Sequence, residues 1–316
     1  MSEPNGSKTA DELVDIGCDR MDAGDLDGAV AAFRSAIDKG ERWVALNLGN
    51  AYVELRRWED SVQAYEAALD AGEISARLNL ANVLAVHLFR VDDARRQYEQ
   101  AWQEGDVGAA VGLAILAEKA GDLDEALVWL HRALAGGATQ ARWRIASIIG
   151  RAGKLDEAMA LYEEALNDGE HEALISRALL RRDQDDLVGA RRDLTTARAA
   201  GVEDALLYLA DLAWREGAET EARRLFEEAV ERSPDALLEY ASFVEETARD
   251  PLAAVPIYER AAAAGDLRAH YNGAVMFAKI ERWEDARRAY ARAAESGDPK
   301  AEDRFEEWRS RIVLDD

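Results

Sequence analysis

Apolar residues recur along this chain at three-and-four spacing, in stretches of ten to fourteen residues that polar breaks punctuate. Segments such as "ALLYLADLAWREG" and "ARWRIASIIGRAG" carry one such stripe, which predicts helices with a single buried face. A second stripe follows each of these: a small residue, usually alanine, then an aromatic or leucine four positions on, then alanine three positions further. Its central residues are Phe33, Tyr65, Tyr98, Leu130, Tyr162, Leu194, Phe226, Tyr258 and Tyr290, spaced by 32 residues in every case but one, where the step is 33. Self-similarity of this kind marks a repeat architecture.

Seven residues after each centre stands a glycine, at 40, 72, 105, 137, 169, 201, 265 and 297, with Ser233 in the one exception. Glycine there predicts a helix stop, because it tolerates the left-handed conformation that closes a helix. Between the two stripes lie "AGDLDGA", "AGDLDEA" and "AGKLDEA", where Gly then Asp ends one helix and caps the next. Each unit therefore reads as two antiparallel helices. The middle of each first helix is small (Gly17, Gly49, Ala81, Ala114, Ala146, Ala178, Ala210, Ala241, Ala274), which predicts close approach of the paired helices at that point. A hairpin of this length cannot bury its apolar face alone, so neighbours must stack. The eighth unit holds Pro234, Pro251 and Pro256, and Pro256 predicts a late start or a kink in its second helix.

The stretch "LGNAYVELRRWEDSVQAYEAAL" resembles the tetratricopeptide repeat, in its small residue, the aromatic three later and the A…Y…A second helix. The links "AAAAGDLRAHYNGA" and "ALDAGEISARLNLA" are similar to Sel1-type repeats, with Gly where the tetratricopeptide pattern favours proline. The resemblance implies an all-α, right-handed superhelical solenoid of nine hairpins over residues 10–298. Residues 1–9 are expected to be a disordered tail, and residues 299–316, "PKAEDRFEEWRSRIVLDD", a capping helix with an acidic end.

Composition narrows the function. With 63 acidic against 39 basic residues the net charge is −24, which repels a phosphate backbone and argues against nucleic acid as a partner. No apolar run approaches the roughly 18 residues a membrane span needs, so no membrane partner is expected. Cys18, the single cysteine, leaves no internal disulfide and fits a reducing cytoplasm. The polar N-terminus lacks the pattern of a secretory signal.

Catalytic patterns are missing from the sequence. His87, His131, His171 and His270 fall in different units without a metal-binding spacing, and there is no phosphate loop or nucleophile elbow. The chain reads as no enzyme, with no cofactor and no metal.

If hairpins stack as in tetratricopeptide arrays, first helices line a concave wall. Taking the small central residue as zero, that wall should show positions −6, −3, −2, +1, +4 and +5. Asn47, Asn50, Asn79 and Asn82 then face inward, and Asn272 occupies the place of Asn47 and Asn79. An asparagine amide both donates and accepts, so it can hold the backbone of an extended ligand. The ladder resembles those of peptide-holding tetratricopeptide domains and lapses at Gly112 and Ile115. Farther on the wall offers Trp143, Arg144, Arg151, Arg182, Tyr208, Asp211, Trp214 and Arg215, the residue types enriched where interfaces bind most tightly. Four arginines there predict a local positive wall suited to an acidic segment or a C-terminal carboxylate. The expected function is a scaffold or adaptor that holds an extended segment of a partner protein in its concave groove. A peptide-sensing receptor, or a structural subunit using its convex face, is the alternative.

Overall fold

The computed structural model describes residues 8–248 and 251–295, together with Ala301 and Asp303. The expected tail up to residue 7, and nearly all of the expected capping helix, lie outside the described residues. Every regular element among the described residues is helical. The chain divides into two compact units, residues 1–170 and 171–316.

The first unit holds five helix hairpins: α1 (Ala10–Asp22) with α2 (Leu26–Asp38), α3 (Ala45–Glu54) with α4 (Trp58–Asp70), α5 (Ala76–Val86) with α6 (Val91–Gln103), α7 (Gly108–Ala120) with α8 (Leu123–Ala135), and α9 (Ala141–Arg151) with α10 (Leu155–Asn167). The second, among its described residues, holds four: α11 (Ala173–Asp183) with α12 (Leu187–Ala199), α13 (Ala205–Arg215) with α14 (Glu219–Arg232), α15 (Leu237–Thr247) with α16 (Val255–Ala263), and α17 (Leu267–Lys279) with α18 (Trp283–Glu295). Within each unit the second helix of one hairpin packs on the first helix of the next.

Local chemistry sets these boundaries. Thr9 and Glu12 form a reciprocal capping box at the start of α1, with bonds of 3.2 and 2.7 Å. Asp25 caps α2 through the Gly28 amide at 3.1 Å, and Asp122 caps α8 through the Glu125 amide at 2.9 Å. Where "AGKLDEA" puts Lys154 in that place, α10 starts without a side-chain cap. The glycines after the second helices, from Gly40 to Gly265, have φ between 83° and 111°, as a left-handed stop requires. Ser233, before Pro234, is instead extended at φ −140°. Pro256 falls in the first turn of α16, which starts late after a 3₁₀ turn over Pro251–Ala254; the missing amide is harmless there.

The core of each unit is built from the repeat centres. Phe33, Tyr65, Leu130, Tyr162, Phe226 and Tyr258 are all buried, each between flanking buried alanines or their equivalents. A Cβ on Gly17 would lie 2.3 Å from the Phe33 ring, and one on Gly49 would lie 2.5 Å from the Tyr65 ring. The small central residues thus admit the aromatic of the partner helix, as the sequence predicts.

Candidate functional site

In the first unit the asparagines do more than line a wall. Asn50 Oδ1 accepts the Tyr65 hydroxyl at 2.8 Å and the Asn79 amide at 3.3 Å, while Asn82 Oδ1 accepts the Tyr98 hydroxyl at 2.7 Å. In these two hairpins the repeat tyrosine of the second helix reaches through, and the asparagine one place past the small centre closes its hydrogen bond. Burial, with Glu54 adding to it, raises Tyr65 to about 12, and burial does the same to Tyr98. A backbone-reading ladder therefore retains only part of its bonding capacity, since two of its oxygens already serve the fold. Asn47 donates to the Cys18 sulfur, at 3.8 Å.

The lapse at Gly112 has a steric cause. A Cβ there would sit 2.3 Å from the Tyr98 ring, so the position that carries asparagine in the two preceding hairpins is filled by a neighbouring aromatic.

The expected positive wall needs correction. Arg151 pairs with Glu118 at 2.7 Å, and Asp211 takes both Arg182 at 3.3 Å and Arg215 at 2.8 Å on one oxygen. With Asp183 also pairing Arg182 at 2.9 Å, three of the four arginines already have carboxylate partners. Arg144 is the exception. Its guanidinium lies 4.4 Å from the Trp143 ring centre, and burial pushes its pKa down against the pull of Glu118. Both Trp143 Nε1 and Arg144 Nε are buried donors with no acceptor among the described residues.

In the second unit Tyr208, Asp211, Trp214 and Asn272 converge on one cavity of about 360 Å3. Leu207, Leu238, Glu239, Ser242 and Phe226 complete its lining. Apart from Phe226, every lining residue comes from first helices α13, α15 and α17, at the −3, −2, +1 and +4 places of the repeat register. Trp214 is fixed by edge-on contacts with Phe243 at 5.5 Å and Phe226 at 6.4 Å. Burial raises the Tyr208 hydroxyl above its ordinary range, with Asp204 and Glu239 adding to it.

Glu239 is the unusual member. Its Oε2 is closed off from solvent with no donor among the described residues, and burial raises its carboxyl above the ordinary range, although its own backbone amide and Arg268 oppose this. Among the described residues no group of three or more His, Cys, Asp or Glu side chains is placed to hold a metal ion. Nor is any described helix long and apolar enough to cross a membrane. His87 stacks flat on Trp58 at 3.7 Å and serves packing.

Leu207, Leu238 and Ser242 fall on the predicted wall positions but carry no distinctive chemistry in the sequence. Phe226 had no sequence signal as a lining residue, because repeat centres are expected to be wholly internal.

No curated protein matches the sequence. Among solved structures, a tetratricopeptide repeat protein from Parabacteroides merdae is similar in fold, with TM-score 0.59 and 17% identity over 71% of this chain and 93% of that one. Weaker likenesses are to c5321, a protective antigen of uropathogenic Escherichia coli displaying an SLR fold (TM-score 0.40, 19% identity, 90% of this chain and 68% of that one), and to MamA (TM-score 0.43, 21% identity, 50% and 96%). The tetratricopeptide family model matches residues 46–110 and 175–236. One matched stretch lies in each of the two units, and the fold is similar to that of tetratricopeptide repeat proteins.

Proposed function

We propose that this chain is a non-enzymatic scaffold that holds an extended segment of a partner protein against the first-helix walls of its repeats. The observation that carries the reading is the aromatic-lined cavity of the second unit, which three successive first helices build at equivalent register positions. Binding pockets combine such apolar and aromatic walls with a few placed polar groups. Rigid aromatic anchors supply most of the affinity in protein interfaces.

The first unit supports the same reading with donors. Trp143 Nε1 and Arg144 Nε are buried without acceptors. A buried polar group left unpaired costs about 1–3 kcal/mol, so a carbonyl or carboxylate oxygen of a bound segment would be gained at little further desolvation. An acidic residue or a C-terminal carboxylate suits that place. The exposed side of Asn82 adds a backbone contact. The strong negative charge keeps nucleic acid an improbable competitor for these walls.

The test is a paired capture from the cells that make the protein, using the full chain. Wild type is compared with a double variant, Trp143→Phe with Ser242→Arg, which removes one buried donor and fills the cavity. Loss of the wild-type partner at an unchanged melting temperature supports the reading. Equal recovery by both proteins excludes the first-helix walls.

A further inference from the structure

We propose that the cavity of the second unit receives the guanidinium of an arginine from the extended segment of a partner protein. This rests on the scaffold reading above and names the side chain that one of its walls selects.

Charge points one way. Two carboxylates, Asp211 and Glu239, line the cavity, and no basic residue does. Asp211 already has cationic partners in Arg182 and Arg215, which leaves it a fixed, oriented acceptor at the rim. Glu239 has no such partner on its Oε2, and Arg268, the cation that lowers its pKa, makes its ion pair with Asp266 at 2.8 Å. An uncompensated carboxylate in a half-buried site is stabilised most by a cation that brings its own donors.

The walls favour arginine over lysine. Tyr208 and Trp214 present aromatic rings, and Leu207 and Leu238 present aliphatic surface. A guanidinium is planar, stacks on aromatic faces and forks onto carboxylates, whereas an ammonium is a strongly hydrated point charge. The arginine stem would lie on the leucines and its head between ring and carboxylate. Stacking of this kind already occurs in the chain, where Arg144 lies 4.4 Å from Trp143 and Arg223 lies 5.3 Å from Phe243. A volume of about 360 Å3 also suits one long side chain, near the low end of the roughly 300–1,000 Å3 of ligand pockets. Asn272 and Ser242 at the cavity lining can bond the peptide backbone on either side of that residue.

The experiment uses pools of nonapeptides, randomised except at the centre, which is fixed as arginine, lysine, norleucine or glutamate. The full-length protein and its Glu239→Gln variant are each titrated with every pool, after melting curves establish that both are folded. The expected result is that wild type holds the arginine pool about tenfold or more tighter than the norleucine pool, with lysine between, as a charge-assisted bond in a half-buried site implies. In Glu239→Gln the arginine advantage should fall to near that of norleucine. Wild type holding norleucine as well as arginine overturns the proposal and leaves the scaffold reading standing, as does an arginine preference that Glu239→Gln retains. Binding of no pool by wild type removes the first-helix wall reading, and this inference with it. Should Glu239→Gln fold poorly, the wild-type ranking of arginine against norleucine decides alone.

Discussion

Replacing Asn50 by alanine removes the acceptor of a buried hydroxyl. Tyr65 is 2% exposed, and its hydroxyl donates to Asn50 Oδ1 at 2.8 Å. Leaving a buried donor unmade costs about 1–3 kcal/mol. The Asn79 bond to the same oxygen is longer, at 3.3 Å, and its loss adds little. A value of about 2 kcal/mol follows, equivalent to about a 30-fold rise in local opening. Repeat arrays unfold locally and their midpoints are not single quantities, so the assay is hydrogen exchange of the amides in α3, α4 and α5. The double variant Asn50→Ala with Tyr65→Phe removes both partners and should regain most of the loss, since an unmade bond with no buried donor costs little. If Asn50→Ala leaves exchange in these helices unchanged, the asparagine does not hold the hairpin, and the tyrosine contact carries no energy.

Three further outcomes follow. Gly49→Ala should destabilise the second hairpin by about 1–3 kcal/mol, because its Cβ would meet the Tyr65 ring at 2.5 Å; a raised melting temperature would contradict the close-approach account. Asp193 is 2% exposed and takes Arg177 at 2.9 Å and Arg181 at 2.6 Å, so Asp193→Asn should cost about 3–5 kcal/mol, read as faster exchange throughout α11 and α12. Burial raises the folded-state pKa of Glu239 above its ordinary 4.5, with Asp266 and Asp235 adding to the shift and Arg268 opposing it. The folded state therefore binds this proton more tightly than the unfolded state, and its contribution to stability declines as pH rises from 4.5 through the raised value. Glu239→Gln should gain in melting temperature relative to wild type across that window, whereas parallel curves would show that the carboxyl is not perturbed.

Much of this architecture is legible in the sequence because the period is written into residue size. The aromatic or leucine centres, the glycine stops and the small middles of first helices each obey one steric rule, and the structure places them accordingly. The register legible from those centres also puts Tyr208, Asp211, Trp214 and Asn272 on one wall, where the cavity gathers them. What the register could not show is how polar groups pair once the helices pack. Asn50 and Asn82 look like free rungs until the tyrosine hydroxyls from the second helices reach them. Arg151, Arg182 and Arg215 look like a positive wall until Glu118 and Asp211 of neighbouring helices reach Arg151 and Arg182, and Asp211 also takes Arg215 on its own helix. In the sequence Glu239 is one acidic residue among many, and its importance comes from burial beside a cavity that three hairpins line. The Asp193 cluster was invisible for the same reason, since Arg177 and Arg181 lie on the preceding helix.

The claim that the first-helix wall is the binding surface is tested most directly by site-specific cross-linking in the cells that make the protein. A photoreactive phenylalanine replaces Leu207, which lines the cavity, or Val188 on second helix α12, which is 84% exposed. The account predicts a covalent partner adduct from position 207 and none from position 188. Adducts from position 188 with none from 207 would place the partner on the second helices and contradict it.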